Sequence, residues 1–497
     1  MNRTLLAATL GLTCLTWGCH GSYLERGMAP QAPLSCDTTA GVEPTANSED
    51  YTDYGVRGFV DPVQDPHSTF SVDVDTGSYT IARRKLREGM LPPPAAVRVE
   101  EFVNYFRQGY PDPAPGEAFG ITAQAMPSPW RPGKTLLRVG LQTKRIDHSQ
   151  RKPANLVFLV DVSGSMSSPD KLGLIKQSLG ILTRSLRPDD TVAISTYAGS
   201  VETVLAPTPV AEREEILDAL DDLEAGGSTA MGSGIALAYS LASERAGPGA
   251  NTRVIVCSDG DANVGATHHD QLLETIRGYR GKGITLGTVG FGMGNYRDTL
   301  MEQLADAGDG SYAYVDGLSE ARRLFSEDLI SSLELVARDA KIQVEFDPAR
   351  VARYRLIGYE NRAILDQDFR NQRVDAGEVG AGHAVTALYE LELHDALGDL
   401  GVVRVRYQPP EGGEAIEQEQ PIPGELLAPE TAPKRLHFVA AVAEFAERLR
   451  NSPHVETPWP TLLAACESSL SSPSDAREHE LLDLVRRAAR IDGSLPK

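Results

Sequence analysis

The sequence has few cysteines, and none of them lie close together. Its 497 residues include five, at Cys14, Cys19, Cys36, Cys257 and Cys466. Closely spaced cysteine pairs mark structural zinc sites and small disulfide-stabilised domains, so neither is supported here. Cys257 ends an apolar run that predicts a strand, and we expect it to be a buried core thiol.

The sequence also lacks an excess of positive charge. Lysine and arginine number 48 against 69 aspartates and glutamates, which gives a formal net charge of −21. A surface of this sign repels a phosphate backbone, so no nucleic-acid partner is expected. The acidity suits a protein outside the cytoplasm or one that handles divalent cations, and it does not decide between them.

Long apolar runs are absent beyond the N-terminus, so no later segment is predicted to span a membrane. One short run, Leu5–Trp17, has the length of a signal-peptide core. Gly18-Cys19 then resembles the cleavage site of bacterial lipoproteins, although that family has Leu where this chain has Thr16. The resemblance implies a signal peptide at residues 1–18, export, and a lipid anchor at Cys19 in the bacterial envelope, at the outer membrane or on the periplasmic face. The alternative is plain secretion without lipidation.

Composition and periodicity divide the rest of the chain into segments. Residues 19–65 are rich in Gly, Ser, Pro and acidic residues, which predicts a flexible tether. The predicted structured segments are an N-terminal α+β region at 66–150, an α/β domain at 154–336, a C-terminal β region at 340–410 and a C-terminal helical region at 430–497.

The central segment alternates strands with helices. Leu156–Val160 and Val254–Cys257 are continuous apolar runs, typical of parallel strands buried on both faces. Further predicted elements are strands at Thr191–Tyr197, Ile284–Val289 and Ser311–Val315 and a closing helix at Glu320–Leu335. This order predicts an α/β fold with a doubly wound sheet.

The flanking segments contain strands with one polar face. Thr69–Val74 precedes the central domain, and Val402–Tyr407 follows it with apolar and basic residues in alternation. We hypothesise that strands from before and after the central domain form one β-sandwich, with the α/β domain inserted between its halves.

Carboxylates and hydroxyls follow the two buried strands. Asp161, Ser163 and Ser165 come directly after the first strand, and Asp259 lies just beyond the second. Thr229 lies in a glycine-containing loop before a predicted helix. Because ligands bind beyond the carboxyl ends of the strands in an open α/β sheet, we expect these five side chains at one rim. An all-oxygen set of this kind suits a hard cation such as Mg²⁺.

The five positions resemble the metal-ion-dependent adhesion site of von Willebrand A domains, whose fold is a six-stranded, Rossmann-like sheet. The match lies in Asp161-Val162-Ser163-Gly164-Ser165, in Thr229 and in the Ser258-Asp259-Gly260 turn. It implies that Ser163, Ser165 and Thr229 coordinate Mg²⁺, or Mn²⁺ or Ca²⁺ in its place, while Asp161 and Asp259 act mostly through water. Since hydroxyl ligands are neutral, an open position on the ion would attract an Asp or Glu carboxylate of a protein partner.

The flanks resemble a narrower, lipoprotein-type family of bacterial von Willebrand A proteins. Phe70–Tyr79 and Val97–Phe106 look like its N-terminal region, and Asp259–Gly265 looks like its metal-loop extension. The resemblance covers most of residues 66–490. Because the biochemical role of that family is unsettled, the resemblance implies architecture more than function.

Three functional hypotheses remain open. The first is a cation-dependent protein-binding module of the cell envelope, for adhesion or scaffolding. The second is a structural or assembly protein in which the metal only stabilises loops. The third is a hydrolase, but we expect no enzyme: Asp75-Thr76-Gly77-Ser78 spells the catalytic turn of aspartic proteases, and the second turn which that chemistry needs is missing from the chain.

Overall fold

A computed structural model describes residues 49–228, 231–247, 249–261, 266–292, 294, 296–328, 333–473 and 475–495. The expected signal peptide, Cys19 and Cys36 lie outside these residues, and so does Thr229. Within them, no helix is long and apolar enough to cross a membrane.

The described residues form strands in three sheets. In chain order the strands are β1 His67–Ser71, β2 Phe119–Pro127, β3 Thr135–Thr143, β4 Ala154–Asp161, β5 Thr191–Tyr197, β6 Val201–Pro209, β7 Asn251–Ser258, β8 Ile284–Phe291, β9 Tyr312–Val315, β10 Leu335–Phe346, β11 Val351–Ile357, β12 Gly377–Gly380, β13 Ala384–Leu393, β14 Gly401–Gln408 and β15 Ile416–Ile422.

Helices occur in the central domain and at both ends of the described chain. They are α1 Gly77–Arg87, α2 Val99–Asn104, α3 Leu174–Ser185, α4 Arg213–Asp221, α5 Met231–Ser243, α6 Ala266–Arg280, α7 Asp298–Ala307, α8 Leu318–Arg322, α9 Lys434–Leu449, α10 Trp459–Ser468 and α11 Ala476–Ile491.

The central domain contains the predicted doubly wound sheet. Its six strands lie in the order β6-β5-β4-β7-β8-β9, and all neighbours are parallel except β5 and β6. Side chains of β4 alternate between two helical layers: Phe158 packs with residues of α3 and α4, and Leu159 with residues of α5 and α7. Burial on both faces is the reason that β4 is a continuous apolar run.

Two elements of this domain differ from the sequence prediction. The sixth strand, β6, is not predicted from the sequence, because only two residues of this antiparallel edge strand, Leu205 and Thr208, are buried. The helix expected at Glu320–Leu335 was wrong at its end. After α8 a π-helical turn spans Arg323–Asp328, residues 329–332 lie outside the described residues, and Leu335 already begins β10.

The flanking strands form the predicted β-sandwich. One sheet has the order β1-β10-β14-β15, with β12 also paired to β10, and the other has the order β11-β13-β3-β2. Each sheet therefore combines strands from before and after the central domain, as in the pairs Phe70 with Ile342 and Val139 with Ala387. The apolar faces of both sheets meet in a common core, so the central domain is an insertion.

A third core joins the N-terminal and C-terminal helices. Tyr79 on α1 and Phe102 on α2 pack with Phe438 and Phe445 on α9 and with Leu481 on α11. The aromatic rings meet mainly edge to face, as between Phe106 and Phe438 with centroids 5.1 Å apart. The C-terminal helical region is therefore part of the support that surrounds the insertion.

Residues 49–65, at the end of the segment expected to be a tether, contact the body of the protein. The Glu49 carboxylate accepts from Arg84 at 2.7 Å and lies 2.6 Å from the Lys85 ammonium. Val60 exchanges backbone hydrogen bonds with Tyr354 on β11. These contacts attach the segment to α1 and to the sandwich.

A buried ion cluster connects the sandwich to the C-terminal helices. Arg355 on β11 has no exposed side-chain surface, and it donates to Glu390 on β13 at 2.7 Å and to Glu447 on α9 at 3.0 Å. Removing one member of such a cluster leaves buried charge without its partner, which destabilises a protein strongly.

We therefore expect Arg355→Met to lower the free energy of unfolding by about 3 kcal/mol, measured by urea denaturation. The matched control is Arg353→Met on the same strand, whose side chain is 51% exposed and lies 3.8 Å from Glu392. Its effect should stay below about 1 kcal/mol, as for other surface pairs. Equal losses in the two variants would contradict this account of the cluster.

Candidate metal site

Three loops meet at the carboxyl edge of the central sheet. Asp161 is the last residue of β4, and Ser258 is the last residue of the neighbouring β7. The third loop precedes α5 and includes Gly226 and Gly227. Strand order reverses beside β4, which is the position where open α/β sheets bind ligands.

Asp161 joins the ends of three strands through its carboxylate. Oδ1 accepts from the backbone N–H of Ser163 at 2.9 Å. Oδ2 accepts from the Tyr197 hydroxyl, at the end of β5, and from the Ser258 hydroxyl, both at 3.0 Å. Asp161 is fully buried. With both oxygens already hydrogen-bonded, this carboxylate is suited to positioning the loops.

Ser163 and Ser165 place their hydroxyls side by side. The two Oγ atoms are 3.0 Å apart. Neighbouring ligands in an octahedral Mg²⁺ shell, with bonds of about 2.0–2.1 Å, are separated by about 2.9 Å. Ser163 is buried, whereas Ser165 is half-buried and Gly164 is exposed, so the pair lies at the rim. The geometry and the oxygen chemistry of this pair fit a small hard cation.

Asp259 stands directly after β7 and is also fully buried. Its Oδ1 accepts from the backbone N–H of Asp261 at 3.0 Å. Its Oδ2 lies 2.8 Å from Nζ of Lys171. Gly260 has a φ of +74°, and a Cβ there would lie 2.8 Å from the backbone nitrogen of Arg297. The turn that carries Asp259 therefore requires glycine at that position.

The loop that leads to Thr229 is fixed to the Asp161 loop by backbone hydrogen bonds. Gly226 N–H donates to the Val162 carbonyl at 2.7 Å, and Gly164 N–H donates to the Gly227 carbonyl at 3.1 Å. The structure thus brings Asp161, Ser163, Ser165 and Asp259 together beside this loop. Thr229 itself lies outside the described residues, so its place in the set remains a prediction.

Two buried carboxylates dominate the electrostatics of the site, and one of them, Asp259, pairs with Lys171. Burial raises the pKa of Asp161 above its ordinary value, the Asp259 carboxylate raises it further, and hydrogen bonds from Ser163 and Ser258 lower it. Burial also raises the pKa of Tyr197 well above its ordinary value, so its hydroxyl stays protonated and donates to Asp161. The two buried carboxylates repel each other, and the Lys171 ammonium beside Asp259 reduces that repulsion.

Reasoning from the sequence missed three residues that contact the two buried carboxylates. The sequence predicts Ser258 only as part of a turn and Tyr197 only as the end of a strand. The position of Tyr197 at the carboxyl end of a strand next to β4 was a usable signal. Lys171 lies 88 residues from its carboxylate partner, and no local pattern indicated that contact.

The protease-like turn has a structural role. Asp75 Oδ1 accepts from the backbone N–H of Tyr312 at 2.8 Å, and Oδ2 accepts from Arg362 at 2.9 Å. A Cβ on Gly77 would lie 2.3 Å from the Tyr312 ring. This stretch therefore connects β9 of the central domain to the N-terminal region and, through Arg362, to the C-terminal β region.

Comparison with known proteins identifies the family. Family profiles match at residues 45–138 for von Willebrand factor, at 155–327 for the von Willebrand factor type A domain, and at 331–491 for the C-terminal region of the uncharacterized protein YfbK. YfbK of Escherichia coli strain K12 is 36% identical over 473 residues, which cover 89% of this chain and 81% of that protein. The chain belongs to the YfbK family.

Weaker similarities extend beyond the YfbK family. Human inter-alpha-trypsin inhibitor heavy chain H3 is 26% identical over 226 residues, which cover 43% of this chain and 23% of that protein. A solved structure, a von Willebrand factor type A protein from Catenulispora acidiphila, aligns over 76% of this chain and 88% of its own, with 15% identity and a TM-score of 0.43. Neither similarity bears on the function of the YfbK-family chain.

The hydrogen bond from Tyr197 to Asp161 can be tested separately from metal binding. In EDTA, Tyr197→Phe should lower the free energy of unfolding by about 1–3 kcal/mol, because a buried carboxylate loses a donor. Tyr239→Phe is the matched control, since that buried hydroxyl makes no hydrogen bond within the described residues. It should change stability by less than about 0.5 kcal/mol. Urea denaturation measures both, and a loss as large in Tyr239→Phe would contradict the assignment.

Proposed function

We propose that this chain is a divalent-cation-dependent protein-binding module, for adhesion or scaffolding, in which a partner carboxylate completes a Mg²⁺ site. The observation that carries the proposal is the Ser163–Ser165 pair, whose hydroxyls lie 3.0 Å apart at a rim backed by two buried carboxylates. Neutral ligands in front of buried negative charge are the arrangement expected for a cation that keeps an open position.

The serines and the aspartates of the site would have different roles in binding Mg²⁺, or Mn²⁺ or Ca²⁺ in its place. Ser163 and Ser165 would coordinate directly, together with Thr229. The carboxylate of Asp161 is already engaged by Ser163, Tyr197 and Ser258, which favours contact through water rather than direct coordination. The carboxylate of Asp259 is engaged by the backbone N–H of Asp261 and by the Lys171 ammonium. The bound ion would supply positive charge for an incoming Asp or Glu.

Two observations favour binding over the alternatives. The hydroxyl of Ser163 is hydrogen-bonded to that of Ser165, and within the described residues neither hydroxyl is bonded to a histidine that could activate it for hydrolysis. The ion pair between Lys171 and Asp259 and the hydrogen bonds of Asp161 hold the loops without an ion. A metal that served only to stabilise loops would therefore contribute little.

We place this module in the bacterial cell envelope. The apolar run at Leu5–Trp17 followed by Gly18-Cys19 supports export and a lipid anchor at Cys19, with secretion as the outcome if Cys19 is not lipidated. The predicted tether would run from Cys19 to Glu49, which pairs with Arg84 on α1. It would hold the metal site away from the membrane surface.

Metal binding is tested by titrating Mg²⁺ into the purified chain in a calorimeter. Ser165→Ala should weaken Mg²⁺ binding at least tenfold, because it removes a direct ligand. The matched control is Ser167→Ala, an exposed serine in the same turn, which should bind Mg²⁺ as the wild type does. Partner capture from an envelope extract should be lost in EDTA and in Ser165→Ala but not in Ser167→Ala. Capture that persists unchanged in EDTA would refute the proposal.

A further inference from the structure

Lys171 reaches the metal site from the segment that follows the Asp161 loop. It lies in a π-helical turn, Pro169–Gly173, just before α3. Its Nζ is 2.8 Å from Oδ2 of Asp259, and the two side chains are only 9% and 1% exposed. The contact is thus a buried ion pair with one of the residues assigned to the cation.

The stem of Lys171 occupies a slot that exists because residue 292 is glycine. A Cβ on Gly292 would lie 2.4 Å from Cγ and 2.5 Å from Cε of Lys171. Gly292 also has a φ of +77°, which side chains rarely adopt. The backbone just after β8 therefore makes room for the Lys171 side chain, whose ammonium reaches Asp259.

We infer that Lys171 is a resident cation of this site, which neutralises Asp259 when no metal is bound and thereby weakens Mg²⁺ binding. This inference rests on the proposed function, because it describes the regulation of the same site. It goes beyond that function by assigning a role to a residue outside the five-residue motif.

The charges at the site give the physical reason. Asp161 receives hydrogen bonds from the Tyr197 and Ser258 hydroxyls and from a backbone N–H, all of which are neutral donors. Asp259 instead has the full positive charge of an ammonium at 2.8 Å. An entering divalent ion finds one of its two carboxylates already neutralised, and it is repelled by the ammonium.

The consequence is that Mg²⁺ affinity should depend on whether the partner is bound. Mg²⁺ alone binds the neutralised site weakly, and a partner carboxylate restores the missing negative charge. Metal and partner should therefore bind cooperatively, and each should raise the affinity for the other by the same factor. A second consequence is that folding does not require the metal, since Asp259 is never left unpaired.

The test compares Lys171→Met with Lys176→Met in the full chain. Methionine keeps an unbranched apolar stem in the slot at Gly292 but removes the charge. Lys176 is half-buried on α3, and its Nζ donates to the Asp221 carbonyl at 2.8 Å, so the control makes the same change in net charge away from the site. By calorimetric titration, Lys171→Met should bind Mg²⁺ at least tenfold more tightly than the wild type, and Lys176→Met should stay within twofold.

Thermal unfolding provides a second readout. In EDTA, Lys171→Met should melt below the wild type, because Asp259 is left buried and unpaired, and Mg²⁺ should raise its melting temperature more than that of the wild type. Equal Mg²⁺ affinity in Lys171→Met and wild type would overturn the inference and leave the proposed function intact. Absence of Mg²⁺ binding in both proteins would overturn both.

Discussion

The whole site depends on the hydrogen bonds that the Asp161 carboxylate accepts. This carboxylate is fully buried at the end of β4 and receives hydrogen bonds from β5, from β7 and from its own loop. Burying a carboxylate is costly unless it is hydrogen-bonded, so the ends of these strands cannot separate without exposing an unsatisfied charge. The positions of the serine hydroxyls follow from that constraint.

The support around the central domain imposes a second constraint. Arg98 pairs with Asp298 on α7 at 2.6 Å, and Arg83 on α1 pairs with Asp316 just after β9 at 2.6 Å. Arg362, after β11, pairs with Asp306 at the end of α7. Because these pairs join the central domain to both flanks, its orientation is held by charge as well as by apolar packing. A partner bound at the metal site would therefore be held in a fixed orientation relative to the sandwich.

The parts of the fold that could be predicted are those with a local signal. The apolar runs of β4 and β7 identified buried parallel strands, and the alternation of β14 identified a one-sided strand that proved to lie in the sandwich. The edge strand β6 carried no such signal, because only two of its nine residues, Leu205 and Thr208, are buried. The end of the closing helix was also predicted wrongly. Leu335 begins β10, and an apolar residue at this position fits a helix as well as a strand.

Prediction of the site had a similar limit. Asp161, Ser163, Ser165 and Asp259 could be predicted as a set because their spacing follows the strand ends. The contact of Lys171 with Asp259 could not be predicted, since it spans 88 residues and needs the glycine at position 292. A sequence motif does not reveal residues that reach the site from elsewhere in the chain, as Lys171 does.

The central claim is that the two serine hydroxyls form part of a divalent-cation site. Anomalous diffraction from crystals of the chain grown with Mn²⁺ tests it most directly, because Mn²⁺ replaces Mg²⁺ at oxygen sites and scatters anomalously. The account predicts a peak within about 2.5 Å of both Oγ atoms of Ser163 and Ser165. A peak elsewhere, or no peak at saturating Mn²⁺, would contradict it.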